Sequence, residues 1–322
     1  MRQPRFIVVT GKGGVGKTVV TAALGLAAAQ RRRRALIIET ASDGSLARLF
    51  GRSKLGPAPS VLERGLDAVH VDARELVEQY FARLLRFRWL SDRLLSSNTF
   101  NALTAAAPGV TEFLLLERVL QWLEPGLTGR HQRYEVVIVD APATGHVIKL
   151  LSTPRRLAAM VAAGPLGATA RRLLELLADH HRTHVVLVSL PEDMVVRETI
   201  EAYRTLRGDL GLHVCRPVLN RVFPSRFTPE DGQRIAASPE AHPIVEAARF
   251  MLAGHREAER TAAQLRRALD EPPVELPQLF GDELGAADLG PFAEVLGPVV
   301  LDHAPRRTTT QRTGGTRRGA RS

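Results

Sequence analysis

Gly11, Lys12, Gly13, Gly14, Val15, Gly16, Lys17 and Thr18 follow directly on the apolar run Phe6–Val9, and together they have the chemistry of a loop that holds phosphate. Glycines at 13, 14 and 16 let the backbone turn tightly and aim several N–H groups at one point. That point faces the positive end of a helix expected to begin near Lys17. In such a loop Lys17 reaches the β- and γ-phosphates and the Thr18 hydroxyl takes Mg²⁺, so ATP with Mg²⁺ is the expected ligand. Of the chain's 44 lysines and arginines only Lys12, Lys17, Lys54 and Lys149 are lysine, yet two of them lie in this octapeptide. The alternative is a glycine-rich turn without nucleotide, and the agreement of motif, preceding strand and following helix argues against it.

Lys12 stands across the glycines from Lys17 and cannot duplicate its contact. A second chemical feature lies far downstream. Tyr134–Asp140 is a β-branched run ending in a carboxylate, which suits a buried parallel strand with Asp140 at its C-terminal tip; this is the Walker B position, where Asp140 is expected to order the water shell of the metal held by Thr18. It is followed by Ala141, Pro142, Ala143, Thr144, Gly145 and His146, and then by Val147–Pro154.

The KGGVGKT pattern, with Val19 where many members carry a second threonine, resembles the deviant Walker A ATPases. These include partitioning and division-site ATPases, nitrogenase iron protein, and the ArsA-like ATPases of arsenite efflux and tail-anchored protein targeting. The segment around Thr144–His146 is similar to the ArsA-like switch rather than to the shorter one of the partitioning proteins. Ser189–Glu192 and Leu219–Pro224 resemble that family in order and spacing, so the likeness covers most of residues 1–300. For Lys12 the resemblance implies a reach across a two-fold dimer interface to the partner's phosphates, where a cation stabilises charge as an arginine finger does. A solvated lysine at the loop mouth is the other reading. For Asn220 the resemblance implies adenine recognition, against a plain strand-ending turn.

Two departures from the family follow. Cys215 is the single cysteine, and it falls in an apolar strand pattern, so a small buried side chain is expected. One thiolate makes neither a Cys₂ half-site for zinc nor a three-sulfur arsenite site, so neither site is expected. A single cysteine also excludes an intramolecular disulfide and agrees with a reducing cytoplasm. The second departure is catalytic. After the run Ala35–Ile38, relatives present an acid that orients the attacking water, but Ala41 occupies that place. Asp43 could serve after a two-residue loop shift; its local reading is a turn or N-cap in Ser-Asp-Gly-Ser.

The elements that must position these residues read as one α/β domain over 1–303, a doubly wound, mainly parallel sheet. Strands are expected near 5–10, 35–39, 66–71, 135–140, 184–190 and 213–219, alternating with helices. With 322 residues and 44% hydrophobic content the chain can bury a large core. No apolar run reaches the length of a membrane span, and no signal peptide is expected ahead of the first strand. Leucine-rich helical stretches within about 74–133 and 150–180 exceed a single crossover. The resemblance makes them an inserted helical subdomain able to hold an apolar client, whereas periodicity alone makes them core. The formal charge is +10, but six arginines and no acid fall in Ala304–Ser322, an Arg-rich tail expected to be disordered. Arg31–Arg34 is expected to close the first helix as solvated cations. The tail could touch nucleic acid or anionic lipid through counterion release, but a solubilising appendage is the expected reading, so nucleic acid is not an expected partner and membrane contact is at most peripheral.

Three functions remain at this point. The first is a dimeric Mg²⁺-ATPase, paired with itself or a paralogue, that couples nucleotide state to a partner or client. The second is an essentially non-hydrolytic, ATP-gated binding module, motivated by Ala41. The third is a partitioning-type ATPase, against which the Thr144–His146 segment argues.

Overall fold

In the run Phe6–Val9 every side chain is apolar, so a strand made of it needs cover on both faces. The computed structural model supplies that cover. It describes residues 5–41, 43–84, 109–124, 134–161, 164–238, 242–269, 271–281 and 283–302. Phe6 and Val8 enter one apolar cluster with Ile38, Val139 and Leu187. Ile7 and Val9 enter a second with Ile37, Ile138 and Val186.

The elements run β1 (Phe6–Gly11), α1 (Lys17–Gln30), β2 (Ala35–Glu39), α2 (Ser45–Leu49), β3 (Ser60–Glu63), β4 (Leu66–His70) and α3 (Ala73–Leu84). Then come α4 (Val110–Leu123), β5 (Val136–Asp140), α5 (Thr144–Met160), α6 (Gly164–Ala178), β6 (Thr183–Ser189) and α7 (Asp193–Arg204). The chain continues through β7 (Val218–Val222), α8 (Pro229–Ala237), α9 (Pro243–Leu269), β8 (Val274–Pro277) and α10 (Gly290–Val300). Eight strands form one sheet in the order β3-β4-β2-β5-β1-β6-β7-β8. Only the β3–β4 pair is antiparallel. The expected doubly wound, mainly parallel sheet is thus present, with β1 between β5 and β6, so that the loop after β1 and the tip of β5 open on one edge.

The edges of the sheet differ from expectation. Neither β3 nor β8 was among the expected strands. Each is a four-residue strand with alternating burial at a sheet edge, too short and too polar to stand out as an apolar run. The strand expected at 213–219 lies instead at Val218–Val222, because Pro217 interrupts it; Val214 makes only an isolated parallel bridge to Val185. Cys215 is accordingly buried in the approach to β7 rather than in the strand itself.

In the expected helical insert, α3 packs on α4, and α4 on α5 and α6. Leu114, Leu116, Leu120 and Leu123 of α4 are buried in the same cluster as Val8 and Ile38 of the sheet, so these leucines are core. The rest of that insert, 85–108 and 125–133, and the tail 304–322 lie outside the described residues. Arg33 corrects the view of Arg31–Arg34 as a solvated cluster. It is 7% exposed and its Nη2 donates to the Glu135 carbonyl at 3.4 Å, while Arg31 pairs with Asp302 at 2.8 Å and Arg34 with Asp67 at 3.4 Å. Among the described residues no helix is long and apolar enough to cross a membrane.

Candidate nucleotide-binding site

The loop from Gly11 to Thr18 is shaped by Gly11 and Gly16, where any side chain would be strained. Gly11 has φ +153°, and a Cβ there would collide with the Val188 carbonyl of β6; Gly16 has φ +91°, and a Cβ there would collide with the Asn220 amide. The first contact lets β1 and β6 close up. The second locks the loop to β7, for Asn220 Nδ2 donates to the Val15 carbonyl at 2.9 Å and the residue is 4% exposed. Lys12, Gly13 and Gly14 lie between these anchors, and Lys17 follows directly on the second. Gly14, Gly16, Lys17 and Thr18 line an open cleft of about 940 Å³ together with Ala41, Asp43 and Asp140.

Thr18 and Asp140 meet in this cleft. The Thr18 hydroxyl donates to Asp140 Oδ2 at 2.7 Å, and the Thr21 hydroxyl, one turn along α1, donates to Oδ1 at 3.3 Å. The Thr40 hydroxyl donates to the Asp140 carbonyl at 2.7 Å, and that of Thr10 to the Pro142 carbonyl at 2.9 Å, so the strand tip is pinned on both sides. Burial raises the Asp140 carboxyl to about 6, against the opposing pull of the Thr18 hydrogen bond and the Lys17 charge. The Lys17 ammonium donates to the Lys12 carbonyl at 3.1 Å; its pKa is lowered by desolvation, which the charges of Asp140 and Asp43 partly oppose. A hydroxyl and a carboxylate converging at the foot of a phosphate loop are hard oxygen donors, the set that suits Mg²⁺.

The remaining expected residues divide. Asp43 does line the cleft, but its carboxylate is occupied locally, accepting from the Ser45 hydroxyl at 2.6 Å and the Ser45 backbone N–H at 3.2 Å. Those bonds, the side-chain one foremost, hold its carboxyl below the ordinary range. Ala41 is exposed in the same cleft and offers no acid. The Lys12 ammonium lies 3.9 Å from Glu198 of α7, and both side chains are more than 40% exposed.

Sequence reasoning passed over Glu39 as a site residue. Its carboxylate accepts from the Leu46 N–H at the start of α2 at 3.0 Å and lies 3.6 Å from His70 Nδ1, and burial raises its pKa. It is the register partner of Asp140. Only the adjacency of β2 and β5 reveals this, and that adjacency is not written in local sequence.

The family model for anion-transporting ATPases matches residues 4–164, the half of the chain that holds the phosphate loop, Asp140 and the segment behind it. The chain belongs to this family. Among its relatives, ATPase BagA of Mycobacterium tuberculosis is 27% identical over 240 residues, covering 72% of this chain and 69% of that protein. The arsenical pump-driving ATPase of Acidiphilium multivorum is 26% identical over 250 residues, covering 71% of this chain but only 41% of the pump ATPase. A putative arsenical pump-driving ATPase of Aquifex aeolicus is 25% identical over 267 residues. The anion-transporting ATPase family and the sheet topology agree on a P-loop α/β fold.

Proposed function

We propose that this protein binds and hydrolyses ATP with Mg²⁺ and works as a dimer, with itself or a paralogue, in the cytoplasm, coupling nucleotide state to a partner or apolar client. The observation that carries the reading is the 2.7 Å bond between Thr18 and Asp140 beneath a glycine loop that also holds Lys17. The loop N–H groups and Lys17 hold the phosphates; Thr18 and Asp140 hold Mg²⁺, which when bound neutralises phosphate charge. Lys12, exposed and facing outward, is free of the cis site and suits a contact to a second subunit's nucleotide. Asn220, fastened to the loop at Val15, is the candidate for the adenine. The relatives' names speak of arsenical pumps, but one buried cysteine does not provide the sulfur set that such a metalloid site needs.

A second reading is an ATP-gated binding module with little hydrolysis. It is favoured by Ala41 in the cleft and by Asp43's commitment to Ser45. ATP turnover of the purified chain with and without Mg²⁺, beside nucleotide affinity, separates the two. Mg²⁺-dependent phosphate release supports the ATPase; tight ATP binding with no release supports the module; absence of ATP binding sinks both.

A further inference from the structure

At β6, four residues before the level of Gly11, the sheet carries a group of side chains that the nucleotide cleft does not use. Val185 bridges Val214 in parallel, its N–H donating to the His213 carbonyl and its own carbonyl accepting from the Cys215 N–H, both at 2.9 Å. Alternation then sends His213 and Cys215 to one face, opposite Val214, and His184 to the face opposite Val185. The result is one cluster. A nitrogen of His184, a nitrogen of His213 and the Cys215 sulfur lie within 4.8 Å of one another, and the two rings stand 4.6 Å apart at 56°.

We propose that His184, His213 and Cys215 form a buried site for one thiophilic monovalent ion, Cu⁺ in a reducing medium. Two imidazoles and one thiolate are a soft donor set that suits copper. Charge decides between ions. One thiolate neutralises Cu⁺, so the filled site carries no net charge into the core, whereas Zn²⁺ would leave a buried positive charge and require a fourth ligand.

The surroundings fit a metal-binding role. The Val300 carbonyl at the end of α10 lies 2.8 Å from His184 Nδ1 and can only accept, so Nδ1 bears a hydrogen and Nε2 is the nitrogen through which this ring would bind a metal. Burial pushes the Cys215 thiol up to about 12, so the metal-free pocket holds a neutral thiol. Loading forms the Cu–S bond, breaks the S–H bond and releases one proton to solvent. His213 is only partly buried, and His180 lies beside it with ring centroids 6.0 Å apart, which marks the side from which an ion enters.

The test is anaerobic Cu⁺ titration of the full chain against a chromophoric Cu⁺ chelator, with Zn²⁺ in parallel and X-ray absorption on the loaded protein. The expected result is one Cu⁺ per chain, with a sulfur and two nitrogen scatterers, and affinity lowered by roughly tenfold or more in Cys215→Ala and in His213→Ala. His213 is partly exposed, so its variant retains the fold where Cys215→Ala fails to; unchanged ATP affinity reports that fold. Three results overturn the proposal: no stoichiometric Cu⁺ in the wild type, Cu⁺ retained equally by both variants, or Zn²⁺ held more tightly than Cu⁺.

Discussion

Glu39 of β2 and Asp140 of β5 are register partners at the tips of adjacent parallel strands, so two buried carboxylates lie side by side beneath the phosphate loop. Burial is the main cause that raises both, and the charge of Glu39 adds to the rise at Asp140. A carboxyl raised in the folded state binds protons that the unfolded chain has already lost, so it lowers stability as pH climbs from its ordinary value to its folded one. Without Mg²⁺ and nucleotide, the protein should lose stability between about pH 4 and 6, by on the order of 3 kcal/mol at most from Asp140. Asp43 has the opposite sign, its contribution being lost only as pH falls below the ordinary carboxylate range. Asp140→Asn should flatten the curve over that window in urea unfolding. Parallel pH profiles for wild type and variant would refute the assignment.

What the sequence revealed of this site was its local part. The octapeptide 11–18 and the run ending at Asp140 each carry their own signature, since glycine spacing and a β-branched run ending in an acid follow from backbone and burial requirements alone. Glu39 carried no such mark, because its importance comes from a register between strands nearly a hundred residues apart in sequence. The strand at Val218–Val222 was misplaced for a related reason. Val214–Val218 is the more apolar window, but Pro217 has no N–H for a ladder, and the pairing begins only beyond it. The His184–Cys215 cluster was likewise out of reach, its members meeting only through an isolated bridge.

Asp140→Asn should abolish Mg²⁺-dependent hydrolysis while leaving ATP binding largely in place, because the carboxylate meets Thr18 and Thr21 and not the base or ribose side of the cleft. Turnover measured at saturating Mg²⁺ decides it, and an undiminished rate would contradict the metal role.

Lys17→Ala removes the cation that sits at the centre of the loop, its ammonium on the Lys12 carbonyl. ATP affinity should fall by roughly tenfold or more, since a charge-assisted contact to phosphate is lost in a partly desolvated place. The core does not involve this side chain, so the melting temperature should stay near the wild type. An affinity within about twofold of wild type would refute the site, that change being too small for a lost charged hydrogen bond.

Ala41→Asp places a carboxylate where the exposed alanine faces the cleft. If hydrolysis is limited by the lack of a group that orients water, turnover should rise, by up to roughly a hundredfold, with ATP affinity little changed. Single-turnover phosphate release measures this. No gain would mean that Asp43 or another group already fills the role, or that the chain is built to hold ATP rather than to cleave it.

Lys12 offers the sharpest test of the dimer. Its ammonium is exposed and 3.9 Å from Glu198, and Lys12 is not among the residues lining the cleft, so its removal should leave a lone subunit's hold on ATP intact. In the dimer reading, Lys12→Ala loses nucleotide-stabilised association and turnover, because each site lacks the cation that the other subunit supplies. Mixing then separates trans from cis. A dimer of one Lys12→Ala chain and one Lys17→Ala chain has one complete site, made of Lys17 from the first chain and Lys12 from the second, so the mixture should regain turnover that neither variant shows alone. If Lys12 acts in cis, no site in the mixture is complete and turnover stays absent. A Lys12→Ala protein that associates and hydrolyses like the wild type would remove the lysine from the mechanism altogether, leaving its pairing with Glu198 as an exposed ion pair of little energetic weight.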